Sequence, residues 1–286
     1  MLKKMLHEYA QHLFDNGVIE SLIGYEVGPR GVTRPVFVRD ASEAAKLVFN
    51  EQCTHNLTGY LRQHLQQIEG KAAVVVKPCD SKAINVLLAE NRIDRQRVHV
   101  IGVMCGGMVE KTCVNGQVEP TVQSRCLTCE LDKPLVFDHL IGDGGSRKSS
   151  IPQEGIDHEF AWLENATAQE RMEYWIQHFD RCIRCYACRQ VCPMCDCPTC
   201  LFEREDSLWI GAGSGVQEKR TFHLGRAYHL AGRCVGCNEC ERVCPIDIPI
   251  SMLNQVLARE LEEQYQHVAG FEPVLSPITT VLGVKD

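Results

Sequence analysis

Residues 182–193 read CIRCYACRQVCP, and residues 234–245 read CVGCNECERVCP. Each stretch is a CxxCxxCxxxCP run, in which three evenly spaced cysteines are followed by a fourth cysteine and a proline. A CxxCxxC loop offers three thiolates to one 4Fe-4S cluster, and in two-cluster ferredoxins the fourth cysteine of each run binds the other cluster. The sequence therefore predicts two clusters, one held by Cys182, Cys185, Cys188 and Cys244 and the other held by Cys234, Cys237, Cys240 and Cys192.

Structural zinc is the alternative for these eight cysteines. Zinc sites usually show two CxxC pairs, whereas each run here has three cysteines at regular spacing and a trailing proline. Thiolates in sets of four suit both metals. The spacing therefore favours iron-sulfur clusters, and in the zinc alternative the chain is a zinc-stapled interaction module.

Length, charge and hydropathy restrict the class of protein. The 286 residues are enough for two domains, and a hydrophobic content of 44% is that of an ordinary globular protein. The net charge of -7 argues against nucleic-acid binding, which needs a basic surface. Because the sequence has no apolar run of 18 residues and no secretory leader pattern, we expect a cytoplasmic protein without a membrane span. In that reducing compartment, metal binding explains the 17 cysteines better than disulfides do.

The first half of the chain has the pattern of an α/β domain. Continuous apolar runs at residues 72–76 and 98–104 predict two buried parallel strands, and the helical pattern at about residues 81–89 joins them in a βαβ unit. Other predicted elements are helices at residues 2–14, 40–49 and from 56 onward, and strands at residues 18–23 and 35–38.

A stretch rich in Gly, Ser and Pro separates this part from the cysteine runs. We expect residues 143–157 to be a linker between an α/β domain with a mainly parallel sheet, residues 1–142, and an α-helical dicluster ferredoxin domain, residues 158–286. Predicted helices in the second domain start near Thr167, Thr221 and Ser251.

Four further cysteines suggest a cluster in the first domain. Cys79 and Cys105 each follow a predicted parallel strand, and sites in such sheets form beyond the carboxyl ends of the strands. Cys126 and Cys129, a CxxC pair, complete a possible set of four thiolates. The alternative is that these cysteines are buried apolar residues without a metal.

Several segments resemble the β-subunit family of coenzyme F-420-reducing hydrogenase and its formate dehydrogenase relatives. They are GVIESLIGYEVGP, VVVKPCDSKAINVLL, VIGVMCGGM and CLTCELDKPLVFDHLIGD, which occur in that order and together cover roughly residues 17–142. The two cysteine runs are similar to the ferredoxin domains of formate dehydrogenase β-subunits and of heterodisulfide reductase electron-transfer subunits. This resemblance implies that Cys79, Cys105, Cys126 and Cys129 hold a 4Fe-4S cluster next to FAD, and that the subunit passes electrons between its clusters and a deazaflavin that carries hydride.

One departure from that family concerns the flavin. After the CxxC pair the family continues with further strands and a glycine-rich loop, whereas this chain passes through residues 143–157 into the second cysteine-rich domain. We therefore expect FAD to bind weakly or not at all.

Three cysteines exceed what two ferredoxin clusters require. Cys195, Cys197 and Cys200 form a CxCxxC pattern that is dense enough to bind metal. The candidates for the fourth ligand of such a site are Cys53 and Cys113. The alternative is inert or redox-sensing thiols. The chain is thus expected to hold three 4Fe-4S clusters, or four if these cysteines bind one.

No nucleophile, base or carboxylate pair in the sequence stands out as catalytic. We expect an iron-sulfur subunit of an anaerobic redox complex that carries electrons between a formate dehydrogenase-like or hydrogenase-like catalytic subunit and a heterodisulfide-reductase-like acceptor. The alternatives are an FAD-containing subunit that transfers hydride to or from a deazaflavin or nicotinamide, and the zinc-stapled module.

Overall fold

The chain forms two compact units in the computed structural model. The model describes residues 2–114, 117–127, 129–142, 156–204, 206, 211 and 213–278. The N-terminal unit comprises Met1–Ile151 with Gly270–Val274, and the C-terminal unit comprises Pro152–Ala269 with Leu275–Asp286. The predicted linker, residues 143–157, lies outside the described residues except for its last two, which begin a helix.

The N-terminal unit is built on a five-stranded, mainly parallel sheet. The strands are β1 (Ser21–Val27), β2 (Thr33–Val38), β3 (Ala72–Val76), β4 (Val98–Val103) and β7 (His139–Ile141), in the order β2-β1-β3-β4-β7. The first strand pairs in parallel with β3, β3 with β4, and β4 with β7, while β2 runs antiparallel at one edge. The helices of this unit are α1 (Leu2–Asp15), α2 (Thr58–Leu65), α3 (Pro78–Ala89) and α4 (Ser124–Leu127).

The predicted βαβ unit is confirmed in β3, α3 and β4. All five residues of β3 are buried, as expected for a strand that is covered on both faces. The parallel register runs from Ala72 opposite Val98 to Val76 opposite Gly102. The carboxyl ends of these neighbouring strands therefore lie side by side, and the residues that follow each strand meet at one edge of the sheet.

The helix predicted over residues 40–49 is instead a short 3-10 helix, Ala41–Lys46. The Asp40 carboxylate caps it as expected by accepting hydrogen bonds from the backbone N–H groups of Ser42 and Glu43. The helix ends because Leu47 is extended and forms a β-bridge with Glu26, and the next residue donates its N–H to the Tyr25 carbonyl. These apolar residues therefore pair with β1 instead of continuing the helix.

The sequence pattern did not predict a second, two-stranded sheet. Its strands β5 (Val109–Val114) and β6 (Gln117–Val122) form an antiparallel hairpin. The Cys113 backbone belongs to β5, and its side chain lies outside the described residues.

The C-terminal unit is helical, and no β-strand occurs among its described residues. Its helices are α5 (Ile156–Asn165), α6 (Ala168–Asp180), α7 (Ala187–Gln190), α8 (Val216–Leu230), α9 (Glu239–Arg242) and α10 (Ile250–Tyr265). Thr167 and Glu170 form the predicted capping box at the start of α6. Helix α8 packs against α6 and α10, and the two short helices α7 and α9 pack against each other.

Candidate iron-sulfur centres

The two cysteine runs have the same backbone conformation. Left-handed residues occupy equivalent positions in both CxxCxxC loops, namely Arg184 and Tyr186 in the first, and Gly236 and Asn238 in the second, with φ between 51° and 68°. Each loop leads directly into a short helix, α7 or α9. The left-handed conformation costs free energy for residues other than glycine, so surrounding contacts must hold it. Arg184 provides such contacts, because its guanidinium donates hydrogen bonds to the carbonyls of Phe202 (2.9 Å) and Gly211 (2.7 Å).

One pocket collects four cysteines from both runs. It encloses about 300 Å³ of empty space, part of it open to solvent, and Cys182, Cys185, Cys188 and Cys244 all line it. The rest of the wall is mostly apolar or aromatic and consists of Ile183, Tyr186, Phe222, His223, Pro245, Ile246, Ile248 and Ile250. The structure therefore brings together one complete predicted set of ligands, including Cys244 from the other run. Cys185 is exposed and Cys182 and Cys188 are buried, so the pocket has one side near solvent.

Backbone amides point at sulfur atoms in this pocket. The Arg184 N–H donates to Cys182 Sγ at 3.3 Å, and the Ile248 N–H donates to Cys244 Sγ at 3.4 Å. A hydrogen bond to a thiolate favours its charged form, which is the form that binds metal. These loops are thus arranged to stabilise negative charge on sulfur.

The second predicted set also groups around Cys192. Burial raises the pKa of the Cys237 thiol well above its usual value, and the negative charges of Cys192 and Cys234 raise it further. Burial likewise raises the pKa of Cys240, and charges on the same two cysteines add to the effect. Cys192, which belongs to the first run, is therefore an electrostatic neighbour of the cysteines of the second run.

A neighbouring thiol perturbs Cys192. Cys195 donates a hydrogen bond to Cys192, and this bond is the main reason why the pKa of Cys192 falls to about 6. The same bond raises the pKa of Cys195. This hydrogen bond thus favours the thiolate form of Cys192 and the neutral form of Cys195.

A buried arginine lies among cysteines of both runs. Arg226, on α8, is 4% exposed, and its Nη2 donates to the Cys188 carbonyl at 3.1 Å. Burial disfavours its charge, but the nearby thiolates, with Cys192 the largest contributor, outweigh burial and raise its pKa. Its guanidinium offsets the negative charge that thiolates bring into this interior.

The N-terminal unit gathers three of its four predicted ligands at the carboxyl edge of β3 and β4. Cys79 lies in the first turn of α3, directly after β3, and Cys105 follows β4. The charge of Cys105 raises the pKa of Cys79, and the charge of Cys126 raises that of Cys105, although burial is the largest cause in both cases and takes Cys105 to about 11. These three thiols are therefore electrostatic neighbours.

Backbone amides point at sulfur here as well. The Gly107 N–H donates to Cys105 Sγ at 3.5 Å, and the Met108 N–H donates to Cys126 Sγ at 3.3 Å. Gly107 has a φ of 109°, a backbone conformation that is strained in residues with a side chain. Cys129 belongs to a segment that reaches the same place, because the Cys105 N–H donates to the Asp132 carbonyl at 3.0 Å.

Two buried cations accompany this third site. Lys77, which precedes α3, is fully buried and forms a 2.6 Å ion pair with the equally buried Asp80. Arg125 is 7% exposed and donates from Nε to Gln123 Oε1 at 2.9 Å. Both cations favour the thiolate of Cys79.

The remaining cysteines fall in different surroundings. Cys53 is completely buried in the N-terminal unit, where its Sγ donates to the Val48 carbonyl and accepts from the Asn50 N–H. Cys197 is exposed, and Cys200 packs beside the buried core that includes Cys182 and Cys188. A cluster at Cys195, Cys197 and Cys200 stays a prediction.

Sequence reasoning missed the buried basic residues near the cysteines. Lys219, His223 and Arg226 lie on α8 at helical spacing, and all three are buried although each is polar. These basic residues share a helix face with Phe222 and Leu230, which could have indicated that they are buried. A buried cation needs an anionic partner, so the pattern also pointed to negative charge nearby.

Comparisons with known proteins find an iron-sulfur domain and two similar proteins. Residues 178–248 match the family model described as a 4Fe-4S dicluster domain. The β subunit of an F420-dependent formate dehydrogenase from Methanocaldococcus jannaschii is 20% identical over 95% of this chain and 92% of that protein. The β subunit of F420-dependent formate dehydrogenase 1 from Methanococcus maripaludis is 23% identical over 92% of this chain and 88% of that protein.

The chain is similar to the β subunits of formate dehydrogenases. The resemblance noted in the sequence is thereby confirmed, and so is a 4Fe-4S domain. The two alignments extend over 357 and 352 positions, which exceeds the 286 residues of this chain. Each relative therefore carries internal residues that have no counterpart here.

The residues fit 4Fe-4S clusters. Four cysteines line one pocket, amide N–H groups point at their sulfur atoms, and the surrounding wall is apolar. Burial raises the pKa of Cys188 to about 11, so its thiol is neutral until a metal displaces the proton.

Within the described residues, no three His, Cys, Asp or Glu side chains are close enough to hold a single metal ion. None of the helices formed by those residues could cross a membrane.

Proposed function

We propose that the chain is an iron-sulfur electron-transfer subunit of an anaerobic redox complex. It relays electrons between a catalytic subunit, of the formate dehydrogenase or hydrogenase kind, and an acceptor similar to heterodisulfide reductase. Its own residues bind and surround clusters, and none of them is assigned a bond-making or bond-breaking role. Its location in the cytoplasm stays a prediction.

The pocket lined by Cys182, Cys185, Cys188 and Cys244 carries this proposal. Four thiols supply the complete ligand set of one 4Fe-4S cluster, with the crossed fourth cysteine that two-cluster ferredoxins use. The second set, Cys234, Cys237, Cys240 and Cys192, is close by, because α7 and α9 pack together and Arg226 interacts with cysteines of both runs. Short separations between clusters favour the passage of single electrons.

The protein sets the potential of each site through its surroundings. Burial, hydrogen bonds to sulfur and nearby charges change the relative stability of the oxidised and reduced cluster. The backbone N–H groups that donate hydrogen bonds to Cys182 and Cys244 favour added negative charge, and so does the guanidinium of Arg226. The same applies to Lys77 and Arg125 beside the third proposed cluster, whose ligands are Cys79, Cys105, Cys126 and Cys129.

The names of the relatives support the choice of partner. Both are β subunits of formate dehydrogenases, and each alignment covers more than four fifths of both proteins. We therefore place this chain beside a catalytic subunit that removes two electrons from its substrate. Clusters that each accept one electron at a time divide such a pair and pass it onward.

Hydride transfer is a second candidate function, because both relatives are named F420-dependent. It requires FAD to convert single electrons into hydride for a deazaflavin or nicotinamide. The internal residues that the relatives have and this chain lacks weigh against it.

We expect anaerobically purified protein to be brown and to release little or no FAD on acid treatment. Iron-sulfur clusters give a broad visible absorbance, bound flavin adds yellow structured bands, and a zinc protein is colourless. The measurement is the visible spectrum together with the fluorescence of the acid supernatant. One FAD per chain would favour hydride transfer over the simple relay, and a colourless protein with stoichiometric zinc would contradict both.

A further inference from the structure

His223 is a buried histidine in the wall of the first cysteine pocket. It lies on α8, is 2% exposed and lines the pocket together with Cys182, Cys185, Cys188 and Cys244. Aromatic neighbours fix the plane of its ring. The ring stacks on Phe179 at a centroid distance of 4.6 Å and an interplanar angle of 9°, and it meets Phe222 edge-on at 5.0 Å.

Neither ring nitrogen of His223 has a hydrogen-bond partner among the described residues. An imidazole carries at least one N–H donor in any protonation state. Leaving a buried donor without a partner costs about 1–3 kcal/mol. A buried, rigidly held imidazole without a partner therefore calls for an acceptor, and the pocket that His223 lines has room for one.

The surroundings of His223 decide which protonation state of its ring is favoured. Burial is the main cause that lowers the pKa of His223 to about 3, and the guanidinium groups of Arg226 and Arg184 lower it further. Burial and these cations therefore favour the neutral ring, which has one N–H donor and one acceptor nitrogen. The pocket already contains four thiols, which is a full ligand set, so the ring is not needed as a ligand.

We propose that His223 donates a hydrogen bond from its ring to a sulfur of the cluster held by Cys182, Cys185, Cys188 and Cys244, and thereby raises the reduction potential of that cluster. The proposal rests on the proposed function, since it requires a cluster in this pocket. Hydrogen bonds to the sulfurs are one of the main determinants of cluster potential. Reduction adds negative charge to the sulfurs, so a donor stabilises the reduced state more than the oxidised state.

The first test replaces the donor while keeping the ring. In the full chain under anaerobic conditions, His223→Phe retains the aromatic stacking and removes both nitrogens. His223→Gln removes the ring and keeps an N–H donor. His229→Phe is the matched control, because His229 lies on the same helix but is exposed and does not line the pocket. The measurements are iron content and a redox titration monitored by electron paramagnetic resonance.

We expect His223→Phe to keep its iron and to lower one midpoint potential while the others stay unchanged. A loss of about tenfold in the equilibrium constant for reduction corresponds to about 59 mV for one electron. The Gln variant should recover part of this shift, and His229→Phe should show none. Full iron content with unchanged potentials in His223→Phe would overturn the proposal and leave the proposed function intact.

The second test needs no variant that could fail to fold. Pulsed electron paramagnetic resonance of the reduced natural chain, labelled with 15N-histidine, measures the coupling between the cluster and ring nitrogens. A weak coupling is expected for a hydrogen-bonded ring. A strong coupling would mean that His223 is a ligand, and no coupling would mean that it does not contact the cluster; both overturn the proposal. A protein without any cluster signal would instead contradict the proposed function.

Discussion

Replacing Cys244 with alanine should remove one cluster, and it should be the cluster of the first cysteine run. Cys244 belongs to the second run in sequence but lines one pocket with Cys182, Cys185 and Cys188. When one of the four thiolates is missing, one iron lacks its protein ligand, and in a partly open pocket this exposes the cluster to loss into solvent. We expect about four irons fewer per chain.

Combining substitutions shows which cluster was lost. If Cys182 and Cys244 hold the same cluster, the double variant Cys182→Ala with Cys244→Ala should lose no more iron than either single variant. Cys234→Ala with Cys244→Ala should lose about eight irons, because the two cysteines belong to different clusters. Iron assays and electron paramagnetic resonance decide between these results. The opposite pattern would mean that each run binds its own fourth cysteine.

Replacing Lys77 with methionine should strongly destabilise the N-terminal unit. Lys77 and Asp80 are both completely buried, with a Nζ–Oδ2 distance of 2.6 Å. The ammonium also donates to Tyr25 Oη at 2.5 Å and to the His55 carbonyl at 2.6 Å. Removing one member of a buried ion pair costs about 3–5 kcal/mol, because the other charge stays buried without its counter-ion.

Hydrogen exchange in the full chain measures this loss locally. A change of about 3 kcal/mol corresponds to more than a hundredfold faster exchange of the amides of β3 and β4. Lys46→Met is the control, since Lys46 pairs with Glu43 at the surface and its side chain is 51% exposed. The double variant Lys77→Met with Asp80→Leu should recover much of the protection, because no charge is then left alone. Equal exchange in Lys77→Met and Lys46→Met would contradict the importance of the buried pair.

The parts of the fold that the sequence predicted well are those with strong local patterns. The buried strands at residues 72–76 and 98–103 and the helix between them follow from continuous apolar runs and a helical period. The capping box at Thr167 gave the start of α6 in the same way. By contrast, β6 contains Pro120, and proline argues against a strand, so the pairing of β6 with β5 was not evident from the local sequence.

The candidate sites were predictable to the extent that cysteine spacing specifies them. Spacing grouped Cys244 with the first run, and the structure places it in that pocket. The residues that surround sulfur were not predicted. A single lysine, histidine or arginine is usually a surface residue, and the burial of Lys77, His223 and Arg226 is set by the packing of whole helices and strands.

Iron and acid-labile sulfide in anaerobically purified protein test the electron-relay function most directly. Three sets of four cysteines should hold about twelve irons per chain, or about sixteen if Cys195, Cys197 and Cys200 take part in a further cluster. The Cys79→Ala variant should contain about four fewer, with the signals of the ferredoxin clusters unchanged. A content of about four irons or fewer, accompanied by stoichiometric zinc, would contradict the relay.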